Sequence, residues 1–224
     1  MVSNVTKRGI PKAQEVQPIK NQKDIQKIKQ FLQGKKDRYG QPDLRNYMLF
    51  VVGINIGLRA GDLLSLKVAD VADLAFDDNG NVKDIKIKEE VRIKEEKTDK
   101  YRTFGINNSA KEAIMMYLDT VRNVLRPDDY LFKSYKNKNE HITVESAHKI
   151  IKNLMRDLNI KGNYGTHTLR KTFAYHVYIN NVKDNPGILH ELMKILNHSS
   201  ESITLRYIGI TKDVITDIYR NLNL

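Results

Sequence analysis

The sequence predicts an α+β chain, mainly α, with a small three-stranded antiparallel sheet set among the helices. Two observations carry this. Apolar residues recur at helical spacing up to about residue 66 and again from about residue 109. Between those stretches, Ile85-Lys86-Ile87-Lys88 and Val91-Arg92-Ile93-Lys94 alternate apolar with charged residues, the period of half-buried strands. A length of 224 residues suits one domain, or one domain with a tail.

Residues 1–20 are polar, hold Gly9, Pro11 and Pro18, and show no periodic apolar face, so they read as a flexible arm ahead of a domain spanning 21–224. Asn21 is a candidate N-cap for a helix with Ile25, Ile28, Phe31 and Leu32 on its inner face and Gly34 as its stop. A second helix starts near Pro42-Asp43, turns Tyr47, Phe50, Val51 and Ile54 inward and ends near Gly57; a short helix covers 60–66. Asp77-Asp78-Asn79-Gly80 is a turn signal, and the two alternating runs then give strands. Residues 97–100 form a polar turn and 101–106 the third strand, so the sheet carries a basic tip.

Helices fill the remainder. One covers 109–124, with Ala113, Met116, Tyr117, Leu118 and Val121 available to its buried side; another covers 143–158, with Glu145 and Ser146 in its first turn. After Gly162 and Gly165, Thr166 is the expected cap of a helix carrying His167 and Arg170. Asn185-Pro186-Gly187 breaks the chain before a helix over 188–196. A short helix brings Arg206 and Tyr207, and a last one covers 211–221.

Composition narrows the chemistry. A net charge of +11 makes a polyanion, and first of all nucleic acid, a candidate partner. With no cysteine, disulfides, thiolate metal sites and a cysteine nucleophile are excluded. His141, His148, His176 and His190 form no metal-ligand spacing, so they read as structural or surface residues. The first residues run into no apolar signal segment and no run approaches membrane-spanning length, so a soluble, cytoplasmic, DNA-associated protein is expected.

Chemistry-bearing residues concentrate in five places. His167-Thr168-Leu169-Arg170, Leu196-Asn197-His198-Ser199-Ser200 and Arg206-Tyr207 supply imidazoles, guanidiniums and a phenol. Gly57-Leu58-Arg59-Ala60-Gly61-Asp62 and Lys97-Thr98-Asp99-Lys100-Tyr101-Arg102 add further cations. Arg and His donate to phosphate oxygens, and Tyr can attack phosphorus and become covalently attached. Fixed cations aimed at the equatorial oxygens stabilise the charge that builds there. His167 and Arg170, three apart in the first turn of a helix, share a face at its positive end. Asp62 lies three residues after Arg59.

Arg59, Lys97, His167, Arg170, His198 and Tyr207 follow the order and gaps of the tyrosine recombinases, the phage integrase family, and the sequence resembles that family's catalytic domain from about residue 21 to its end. The resemblance implies a site-specific recombinase acting on double-stranded DNA without metal, ATP or another cofactor. Tyr207 attacks a DNA phosphate to leave a 3′-phosphotyrosine, and a 5′ hydroxyl from a partner strand later reverses the link. Arg59 and Arg170 clamp the phosphate, His167 donates to it or accepts the tyrosine proton, and His198 adds to the positive field. Lys97 protonates the departing 5′ oxygen, with Lys100 its rival in the same turn, and Asp62 holds Arg59. Tyr219 is the rival to Tyr207 but has no matching interval to His198. A tetramer on DNA is implied, with possible accessory proteins. Val214, Ile215, Ile218 and Leu222 give the last helix an apolar stripe for a neighbouring protomer or for its own domain.

The sequence departs from the family in two respects. Fewer than sixty residues precede Arg59, so the usual core-binding helical domain is expected to be absent or reduced. Asn197 stands where the family usually has glycine before the second histidine; Asn also tolerates left-handed backbone. Two alternatives stay open: a DNA-binding regulator or architectural protein with this fold and little catalysis, and a type IB topoisomerase-like enzyme.

Overall fold

The computed structural model describes residues 15–36, 40, 43–97, 99–137, 139–210 and 220. Four short helices come first: α1 (Gln22–Gly34), α2 (Leu44–Ile56), α3 (Ala60–Leu64) and α4 (Val68–Val71). Strands β1 (Ala72–Phe76), β2 (Val82–Ile87), β3 (Glu90–Lys94) and β4 (Tyr101–Gly105) follow. Helices α5 (Asn108–Val121), α6 (Val144–Asp157), α7 (Thr166–Asn181), α8 (Ile188–Leu196) and α9 (Glu201–Ile208) complete the described order, with a 3₁₀ turn at Arg122–Val124.

The cap read at Asn21 is made, and Thr143, where a helix is expected to start, proves to be a cap as well. Asn21 accepts from the Lys23 N–H and Thr143 from the Ser146 N–H, each supplying an acceptor to a helix start that has none of its own. Thr166 is different: Gly165 is the N-cap of α7, and Thr168 Oγ1 accepts the Gly165 N–H at 3.0 Å. Position 165 admits only glycine, since a Cβ there would run into the His148 imidazole.

The core forms around α2, which is apolar almost all round and packs on α1, α5 and α7. Tyr47, Phe50 and Val51 are buried there, and Ile54 is partly so. Met116 points outward, 38% exposed, because the buried face of α5 runs through Ala110, Ala113, Ile114, Tyr117 and Leu118. A second, smaller apolar cluster joins α7, α8 and α9 through Ala174, Leu192, Leu196, Ile208 and Ile210, with Phe173, Tyr175 and Tyr207 packed against it.

The three-stranded sheet is replaced by two antiparallel pairs, β1–β2 and β3–β4. Lys88-Glu89 shows why. The Lys88 N–H bonds back to Val71 O, whereas Glu89 O accepts from the Ile106 N–H. This dipeptide lacks the glycine or asparagine that a two-residue hairpin turn requires, so the chain runs on from one pair into the next. Residues 15–20, expected to belong to a flexible arm, lie against α7, with Ile19 buried. The expected last helix, its apolar stripe and Tyr219 lie outside the described residues. Among the described residues, no helix is long and apolar enough to cross a membrane.

Candidate active site

Arg59 is placed by two changes of backbone direction. Gly57 ends α2 in the left-handed region (φ 66°), and Arg59, in extended backbone, is the N-cap of α3. Its Nη1 donates to Glu95 Oε2 at 2.7 Å. Glu95, at the end of β3, is buried, and its other oxygen faces Arg102 Nη1 at 3.5 Å. Arg102 also donates to Ile56 O at 3.4 Å, and burial pulls its pKa down while Glu95 opposes that shift.

Asp62 does not hold Arg59. It is buried, and its Oδ1 accepts the Glu96 N–H at 2.9 Å, tying α3 to the β3–β4 hairpin. The reason is local: as N-cap, Arg59 stands outside the helical turn in which residues three apart share a face. Asp62 therefore supports the turn that presents Glu95 and Lys97. That turn is closed by Glu95 N–H to Lys100 O and Asp99 N–H to Glu95 O, both 2.9 Å, and Asp99 is left-handed (φ 56°).

Arg170 is the centre of the cluster. It is buried, donates to Gly57 O at 2.8 Å and to Leu196 O at 2.9 Å, and so joins the ends of α2 and α8. Burial lowers its pKa to about 10, with Tyr207 opposing and Arg102 and Arg59 adding repulsion. It remains a cation at neutral pH.

Tyr207 reaches this cluster from α9. Its phenol lies within the field of the Arg170 guanidinium. Burial raises the phenol pKa, and Arg170 and then Arg59 work against that rise. The His198 ring meets Tyr207 edge-on, with centroids 5.0 Å apart. Asn197 closes α8 in the left-handed region (φ 52°), the conformation its glycine-like position requires. His198 Nδ1 lies 3.1 Å from Oγ1 of the buried Thr204, which leaves Nε2 for the site. Burial, then Arg170 and Arg59, hold the His198 pKa below its ordinary value.

His167 lies in the first turn of α7, open to solvent on one side. Desolvation lowers its pKa, followed by the charges of Arg170, Lys171 and Lys97. Lys97 is exposed at the hairpin tip and bears on the cluster through His167. Lys100 instead lines a groove of about 510 Å³ with Arg102, Phe173, Lys194 and Asn197.

The structure thus gathers Arg59, Arg170, His198 and Tyr207 in one place, with His167 beside Arg170 and Lys97 at the margin. Sequence reading missed Glu95 and Lys171, and named Arg102 only among the cations of the 97–102 run. Glu95 directly follows β3 and Arg102 lies on β4, so the hairpin brings both to Arg59, and the local alternation marks only a half-buried hairpin. Lys171 is almost fully buried, and its Nζ stands 4.6 Å from the centre of the Tyr207 ring. Its position directly after Arg170 was the available signal. Among the described residues, no group of three or more His, Asp or Glu is arranged to hold a metal ion.

Comparison with known proteins adds an independent line. The model of the "Phage integrase family" matches residues 21–213. The "Probable integrase/recombinase YoeC" of Bacillus subtilis (strain 168) is 37% identical over 205 residues, covering 92% of this chain and 96% of that protein. "Tyrosine recombinase XerD" of Listeria monocytogenes serotype 4b is 25% identical over 219 residues, covering 96% of this chain; the chain spans 64% of that protein's length. Among solved structures, the XerA recombinase crystal structure superposes with a TM-score of 0.65 at 21% identity, covering 98% of this chain and 67% of that one. XerH recombinase bound to palindromic difH substrate, in its post-cleavage complex, gives 0.64 at 19%, covering 92% of this chain and 54% of that one. At those identities the structural likeness establishes the fold.

Proposed function

Because this chain belongs to the phage integrase family, we propose that it is a site-specific DNA recombinase that cleaves and rejoins double-stranded DNA through a phosphotyrosine at Tyr207. The observation that carries the reading is the Tyr207 ring set against His198 and Lys171, within the field of Arg170 and Arg59 of the same chain.

The steps follow from the geometry. Arg59 and Arg170 receive the scissile phosphate; the Glu95 carboxylate must share Arg59 with it, since Arg59 already donates to Glu95. The Tyr207 oxygen attacks phosphorus as His198 or His167 takes its proton, both imidazoles being held neutral by lowered pKa values. The bond from phosphorus to the 5′ oxygen breaks, and Lys97 supplies the proton that leaves a 5′ hydroxyl. The ester to Tyr207 conserves the bond energy until a 5′ hydroxyl of another strand attacks it and releases the phenol. Strand exchange of this kind pairs protomers, so a tetramer on DNA belongs to the proposal, with accessory proteins as possible additions.

The test is incubation with nicked half-site DNA, from which the released fragment diffuses away and traps the covalent stage. A protein–DNA band with wild type and none with Tyr207→Phe is expected. DNA binding without any adduct favours a regulator, and relaxation of plasmids lacking a recognition site favours a topoisomerase-like enzyme.

A further inference from the structure

Residues 15–20, ahead of α1, make a set of contacts that the chemistry above does not use. Their middle runs along α7. The Gln17 N–H donates to Asn163 O at 3.0 Å, the Ile19 N–H donates to Thr172 Oγ1 at 2.9 Å, and Ile19 O lies 2.9 Å from His176 Nε2. Ile19 itself is 1% exposed. Both ends reach toward Tyr207. Glu15 pairs at 2.7 Å with Lys171, whose ammonium stands over the Tyr207 ring. Lys20 donates to Gly209 O at 3.1 Å and lies 5.3 Å from the Tyr175 ring centre.

Gly209 is the left-handed residue that closes α9, two positions after Tyr207. A helix of eight residues is not stable by itself, and its last carbonyls lack helical partners. A lysine at that end both satisfies a carbonyl and complements the negative end of the helix. Whatever holds Gly209 therefore holds the backbone that aims the phenol.

We propose that residues 15–20 form a strap that fixes α9 and Tyr207 against α7, with Lys20 and Lys171 as positioning residues. This rests on the reading of Tyr207 as the nucleophile. The strap touches neither Arg59 nor Arg170, so it sets the rate of attack and leaves phosphate binding alone.

Lys20→Met and Lys20→Arg test it in the full chain, through amide hydrogen exchange and through single-turnover adduct formation at saturating nicked DNA. In Lys20→Met, exchange in α9 is expected to rise about fivefold while α2 is unchanged, the scale of one lost charge at a helix end. Adduct formation slows by about the same factor with DNA affinity unchanged, and Lys20→Arg, which still donates, restores both. Glu15→Gln gives a smaller effect, since that carboxylate is 66% exposed. Wild-type exchange in α9 of Lys20→Met overturns the strap, whatever the DNA chemistry does. So does faster exchange with an unchanged cleavage rate. Faster exchange in a protein whose wild type forms no adduct leaves the strap standing and removes the nucleophile reading instead.

Discussion

Glu95 is the residue that holds the two arginines Arg59 and Arg102 in place. One buried carboxylate serves Arg59 and Arg102 together, so its removal leaves two cations uncompensated. Glu95→Gln is expected to lower unfolding stability by about 3 kcal/mol, the scale for breaking a buried pair on one side, and urea denaturation measures it. It should also slow adduct formation more than it weakens DNA binding, because Arg59 loses its aim. The histidines make a second prediction. Both have pKa values below 6.5, so each stays neutral, and able to accept a proton, at pH values where an ordinary histidine is charged. The acid limb of single-turnover cleavage should therefore fall below pH 6.5. The sign for stability agrees: below pH 6.5 the unfolded chain takes up protons that the folded histidines refuse, so their contribution is present above that pH and is lost as pH falls. An acid limb at or above 6.5 contradicts the assignment.

At the scale of elements, punctuation in the sequence was legible and pairing was not. Asn21 announces its cap because a short polar side chain beside an apolar period has few other uses. Asn197 announces a left-handed residue for the same local reason. Asn197→Gly is expected to stay within about 0.5 kcal/mol of the parent, whereas Asn197→Val costs about 1–2 kcal/mol and displaces His198, as thermal melts and adduct yield will report. Strand partners are a different matter. Alternation at 85–94 says that each strand has one buried face and nothing about which neighbour covers its edge. The run Ala72–Phe76, which pairs with β2, is given no element from the sequence. Glu95 escaped notice through the same gap, since its importance arises only when the hairpin folds onto α3.

For the molecule as a whole, the decisive feature is the division of its apolar interior. Helix α2 and Leu58, beside Arg59, belong to the large cluster, while Tyr207 and the helix carrying it belong to the small one formed with α8 and the second half of α7. Small clusters open at lower free energy than main cores. In a urea series, adduct formation is expected to be lost, and α9 amides to exchange, before the main far-UV transition begins; coincidence of the three curves counts against it. The six positions were named from the sequence because each occupies a recognisable local motif, and the fold brings four of them, Arg59, Arg170, His198 and Tyr207, together. That they straddle two packing units was not legible, because Leu196, Ile208 and Phe173 look like any other helical apolar residues until their neighbours are known.

Arg170 spans that division, one nitrogen on the carbonyl that ends α2 and the other on the carbonyl that ends α8. It is a rivet as well as a reagent. Free guanidine diffusing into an Arg170→Ala protein can replace the missing charge but fastens nothing, so any chemical rescue stops at the point where the two halves drift apart.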